Sequence, residues 1–188
     1  MTDQTPLVED EDEAEVEQLH GPRVVVGVDG SAGGRTALLF ALHDAARRGV
    51  PVEAVGAYAD PDRWMDLYVL GDHAADQVGA AAVDRVRGCV ADVLPEGPQP
   101  PPQVHLRVEQ GSAADALVRA SHDADLLVVG SRGHGGFASM LLGSVSMQCV
   151  QHATCPVTVV HSPEAHHHRL HLRRSHHEEA GQADPPVG

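Results

Sequence analysis

Lysine is absent from this chain of 188 residues, and Phe, Trp and Tyr together make up only 3% of it. Without lysine there is no G-x-x-x-x-G-K-[ST] phosphate loop, whose Lys reaches the outer phosphates of a nucleotide. The shortage of rings leaves Val, Leu and Ala to build the core, a composition that suits parallel strands buried on both faces. Cysteine is scarce as well: Cys89, Cys149 and Cys155 are odd in number and lie far from any C-x-x-C spacing, which fits a reducing cytoplasm. No apolar run approaches the roughly 20 residues needed to span a bilayer. The N-terminus is acidic where a secretory signal would be basic and then apolar, so the chain reads as soluble, unexported and without a membrane partner. Basic residues are too few to offset the acids, and a formal net charge of −14 disfavours a nucleic-acid partner, whose phosphates require clustered Lys and Arg.

What is present divides into three stretches. Residues 1–21 hold Glu9-Asp10-Glu11-Asp12-Glu13 and almost nothing apolar, the composition of a disordered acidic tail. Residues 162–188 are rich in His and Arg, end near Asp184-Pro185-Pro186 and show no hydrophobic period, so a second disordered tail is expected. Residues 22–161 are long enough for one domain of ordinary size.

Within that domain strand and helix patterns alternate. Arg23 to Val28 is an apolar run that stops at the loop signal Asp29-Gly30-Ser31, and from Gly33 to Arg48 apolar residues recur at helical spacing up to Gly49. Val52 to Tyr58 reads as a second strand and Ala74 to Leu94 as a longer helix, broken at Pro95 to Pro102. Val104 to Val108 alternates apolar with polar, as a strand nearer a sheet edge does, and Ala113 to Ser121 is helical in spacing. Leu126-Leu127-Val128-Val129 reads as a strand buried on both faces, Val145 to His152 as a helix and Cys155 to Val160 as a fifth strand. This order implies right-handed crossovers and a parallel sheet covered on both sides.

In an open parallel sheet, ligands settle beyond the carboxyl ends of the strands where the strand order reverses. Two loops of small residues are expected there: Asp29-Gly30-Ser31 after the first strand, and Gly130 to Gly136 after the fourth. The second leads to Gly143-Ser144-Val145-Ser146, where a helix begins and offers backbone N–H groups to an anion. Gly130, Gly133 and Gly143 let the backbone approach a ligand or take positive φ, Ser144 and Ser146 add hydroxyls, and Arg132 adds charge-assisted contacts. Mobile surface loops share this composition, and the position after a buried strand favours a binding loop.

The spacing G-x2-G-x9-G-S, met by Gly130, Gly133, Gly143 and Ser144, resembles the ATP-binding signature of the universal stress protein family. Val24 to Ser31 resembles that family's first strand and turn, and Cys155 to Val160 its last strand, so that the likeness covers about residues 22–161. The resemblance implies a three-layer α/β/α fold of the adenine nucleotide alpha hydrolase-like type, with a five-stranded parallel sheet in the order 3-2-1-4-5. It also implies ATP, alone or with Mg²⁺, between strands one and four. Carried over residue by residue, it assigns Asp29, Gly30 and Ser31 to the turn beside the nucleotide and Ala57 to the adenine side. It assigns Val129, Gly130, Arg132, Gly133, Gly143, Ser144, Val145 and Ser146 to the phosphates and ribose. Because a carboxylate repels polyphosphate, Asp29 is expected at ribose or adenine, or else only to bond a following backbone N–H in its turn. The family commonly pairs through the last strand, which implies a homodimer through Val157 to Val160.

Three functions follow from these features. A binding module would use ATP occupancy to order the Ser131 to Leu142 loop and to shift the protein between conformations or partners in a stress response. A slow ATPase or nucleotidyl-transfer enzyme is the second, against which stands the want of a lysine or paired carboxylates near the loop. A metal buffer is the third, using His166, His167, His168, His171, His176 and His177, although Arg169, Arg173 and Arg174 among them repel cations. His134 either touches phosphate or faces solvent, Cys155 reads as a small hydrophobe, and Trp64 and Tyr68 cover either the adenine or a core edge.

Overall fold

The computed structural model describes residues 19–58, 73–133 and 142–162. Both tails apart from residues 19–21 and Ser162, together with Trp64, Tyr68 and His134, lie outside them. The apolar run before Asp29 forms β1 (Val24–Gly27), which pairs in parallel with β2 (Val52–Tyr58) on one side and β4 (Leu126–Gly130) on the other. Beyond β2 lies β3 (Val104–Gln110), and beyond β4 lies β5 (Val157–Val160), so the order is β3-β2-β1-β4-β5 with every pair parallel. This is the order the family resemblance implies. The alternating strand is indeed at an edge, while β1 and β4 at the centre are buried along Val24 to Val26 and Leu126 to Val129.

Helix α1 (Ala32–Arg48) buries Ala37, Leu38, Ala41, Leu42 and Ala45, the positions the helical spacing picks out, and Gly49 ends it in the left-handed conformation. It shares one face of the sheet with α2 (His73–Val93), whose Ala82, Val86, Cys89, Val90 and Val93 are buried, and a short 3₁₀ turn follows at Leu94–Glu96. On the opposite face α3 (Ala113–Ala120) and α4 (Ser144–His152) pack over Val25, Val55, Leu127 and Val129. The core is mostly aliphatic, and among side chains less than 2% exposed Leu38, Leu42 and Leu127 are the largest, followed by a charge on β2.

That charge is Glu53, 1% exposed in the middle of β2. Its carboxylate accepts from Arg23 Nε at 2.6 Å and from Arg107 at 3.3 Å, and both arginines are buried as well. Arg23 also donates to the Ala120 and His122 carbonyls at the end of α3. Arg107 and Arg119 both pair with Glu109, which continues the network from β3 onto α3. A buried charge is tolerable only when paired and hydrogen-bonded, a condition this chain of five groups meets.

Candidate functional site

The strand order reverses between β1 and β4, and a cavity of about 440 Å³ opens there beyond their carboxyl ends. One part of its wall is apolar: Val28 of the first loop, Val55 and Ala57 on β2, Ala113 and Leu117 on α3, and Val129 on β4. The other part is backbone and polar groups: Gly130, Arg132 and Gly133 after β4, then Gly143, Ser144, Val145 and Ser146 at the start of α4. Asp29 lines the cavity after β1.

Three helices begin around this space, contributing Gly34, Ala113 and Ser144 to its wall, and their N-termini differ. Ser31 caps α1 by accepting from the Gly34 N–H at 3.1 Å, and Ser112 caps α3 by accepting from the Asp115 N–H. The cap of α4 is Gly143, which brings no side-chain acceptor. Its carbonyl takes the Met147 N–H, and the helix leaves the N–H groups of Ser144, Val145 and Ser146 without intrahelical partners. These donors sit at the positive end of the helix dipole, on the wall of the cavity.

Of the residues singled out in the sequence, Asp29, Ala57, Val129, Gly130, Arg132, Gly133, Gly143, Ser144, Val145 and Ser146 all line this one space. Gly30 and Ser31 are not part of its lining; Gly30 takes the positive φ of 83° that turns the chain out of β1, and Ser31 caps α1. The Asp29 carboxylate accepts from both the Ser31 N–H (2.9 Å) and the Ser31 hydroxyl (2.6 Å). The turn-forming role and a place on the cavity wall are therefore combined in one side chain. The Ser146 hydroxyl is buried and donates to the Gly130 carbonyl at 2.7 Å, which ties α4 to the end of β4.

Neither Gly130 nor Gly143 takes the positive φ that was one of the two uses expected of them. A Cβ on Gly130 would fall 2.7 Å from the Gly33 carbonyl carbon, so its bareness lets α1 seat against the end of β4. Val28, Val55, Ala113 and Leu117 were not singled out in the sequence, yet they supply most of the apolar wall. Their signal was positional: Val28 directly follows β1, Val55 sits in the middle of β2, and Ala113 and Leu117 lie in the first two turns of a helix after a serine cap. Among the described residues no group of three or more His, Cys, Asp or Glu is placed to hold a metal ion. Burial pushes the thiols of Cys89 and Cys155 up, and that of Cys149 to about 11.

The architecture defines a doubly wound α/β protein with a cleft at the carboxyl edge of its sheet. The chain belongs to the universal stress protein family: the family model for "Universal stress protein family" matches residues 22–161. It is 36% identical over 137 residues to a universal stress protein of Mycolicibacterium smegmatis, covering 73% of this chain and 45% of that protein. It is also 36% identical over 157 residues to one from Mycobacterium tuberculosis, covering 81% of this chain and 49% of that protein. The chain thus spans about half the length of these curated relatives. Among solved structures, universal stress protein UspA from Lactobacillus plantarum matches with a TM-score of 0.60 at 21% identity, covering 76% of this chain and 99% of that one. No helix among the described residues is long and apolar enough to cross a membrane.

Proposed function

We propose that the cavity binds an adenine nucleotide, ATP in the first place, and that the protein is a nucleotide-responsive regulator in a stress response. The observation that carries this reading is the glycine-capped start of α4 facing a cavity whose other wall is apolar. A nucleotide needs both: an apolar slot for the base and fixed donors for the phosphates. The base lies against Ala57, Val55 and Leu117, and the phosphates meet the N–H groups of Ser144, Val145 and Ser146 with Arg132 beside them. Asp29, an acceptor at the edge, faces ribose hydroxyls or the adenine amino group.

Regulation suits the residues better than efficient turnover. Among the described residues the lining holds one carboxylate, and the chain has no lysine, where fast phosphoryl transfer combines a metal clamp with a group that orients the nucleophile. Occupancy shifts the protein between conformations or partners, by no more than the nucleotide's differential affinity for the two states. A second copy pairs along Val157 to Val160, where β5 presents a half-exposed edge flanked by Met147 and Val150 on one face of α4, 42% and 50% exposed.

Mass spectrometry of the ligand released on denaturing purified protein tests the reading. An adenine nucleotide near one equivalent per chain supports it. A different ligand class in that amount, such as a flavin or a lipid, refutes it.

A further inference from the structure

Gly34 lies outside the glycine-rich segment and inside the first turn of α1, where alanine would be the better helix former. The space around it explains the glycine. A Cβ built on Gly34 would fall 2.6 Å from Asp29 Oδ1, and one built on Gly133 would run into Oδ2 of the same carboxylate. The carboxylate thus occupies a slot with one oxygen toward the first turn of α1 and the other toward the loop after β4. Ser31 holds the inner oxygen through its N–H and hydroxyl while its own oxygen caps α1 at Gly34.

We propose that Gly34 and Gly133 are positioning residues of the nucleotide site, acting through Asp29 by leaving the slot that fixes its carboxylate on the cavity wall. The proposal rests on the adenine-nucleotide reading of the cavity and assigns to Gly34 a role that the G-x2-G-x9-G-S spacing does not contain. It also separates two kinds of glycine here. Gly33 and Gly130 face main chain, the Arg132 carbonyl and the Gly33 backbone respectively, so a side chain there must move the backbone. Gly34 and Gly133 face first the far end of the Asp29 side chain, the nearest main chain to a Cβ on Gly34 being the Asp29 nitrogen at 3.3 Å, so a methyl group acts chiefly on the carboxylate.

A double-mutant cycle between positions 34 and 29 in the full chain tests this in two ways. In ATP titration, Gly34→Ala weakens binding about tenfold, the scale of one hydrogen bond to a charged group, and Asp29→Ala weakens it similarly. The double variant binds no more weakly than Asp29→Ala alone. Parental affinity in Gly34→Ala, or losses that multiply in the double variant, overturns the proposal. In thermal unfolding without nucleotide, Gly34→Ala gives a higher Tm change in the Asp29→Ala background, where the carboxylate no longer stands in the way, than in the parent. Equal shifts in the two backgrounds overturn the slot. If the parent binds no adenine nucleotide, the functional reading falls, and the unfolding cycle still decides whether Gly34 sets Asp29.

Discussion

Gly33 and Gly130 touch backbone to backbone: a Cβ on Gly130 would lie 2.7 Å from the Gly33 carbonyl carbon and 2.8 Å from its oxygen. The contact joins the start of α1 to the end of β4 at the floor of the cleft. Gly130→Ala is therefore expected to destabilise the fold by about 1–3 kcal/mol through overpacking. Gly143→Ala, whose Cβ would meet nothing nearer than 3.6 Å, should cost less than about 1 kcal/mol as a weaker cap. Urea unfolding of the two variants checks the contrast.

Glu109 gives the fold an acid sensitivity. Burial raises its pKa, but hydrogen bonds and charge from Arg119 and Arg107 outweigh burial and hold it below the ordinary value of 4.5. A lowered folded-state pKa stabilises the protein fully above 4.5, and that contribution is lost as pH falls through the lower value. Glu109→Gln should flatten the acid limb of a Tm-against-pH profile and leave α3, the helix behind Leu117, less firmly tied to β3. A limb as steep as the parent's would show that other carboxylates set it.

How far the sequence alone discloses this molecule depends on the range of the interaction involved. Runs such as Leu126 to Val129 and the alternation of Val104 to Val108 announce central and edge strands because burial on two faces or one is a local pattern. The α4 end of the site was equally legible, since glycine and serine at fixed spacing after a buried strand are short-range features. Glu53 was not. Its partners Arg23 and Arg107 are 30 and 54 residues away, and a single acid between Val52 and Ala54 carries no sign of being buried. Gly34 was hidden for another reason: Asp29 is near in sequence, but that its carboxylate folds back against Gly34 is set by the geometry of the turn and not by composition.

The thiols should react in order of access. Cys149 is fully buried with its pKa raised to about 11, and Cys89 is buried against α2's neighbours, whereas Cys155 is half-buried just before β5. A thiolate-specific reagent at pH 8 should label Cys155 first and slowly, and reach Cys89 and Cys149 only on unfolding. Peptide mapping after partial labelling reads this directly. Early modification of Cys149 would contradict the packing of α4 on the sheet.

Ser144 allows one donor to be removed without breaking its helix. Proline is favoured at the first helical position, and Gly143 before it already holds the extended backbone (φ −71°, ψ 163°) that a following proline requires. Ser144→Pro deletes the first N–H of α4 and the hydroxyl beside it. It should weaken ATP binding by about tenfold, the worth of a hydrogen bond to a charged group, with Tm unchanged or higher. Lower Tm with parental affinity would place the phosphates elsewhere.

The most direct test of the central claim is calorimetric titration of nucleotide-free protein with ATP. Saturable binding of one ATP per chain is expected, competed by ADP or AMP and weakened when α4's first N–H is removed by Ser144→Pro. Absence of binding up to millimolar ATP, from protein that unfolds cooperatively, would contradict it.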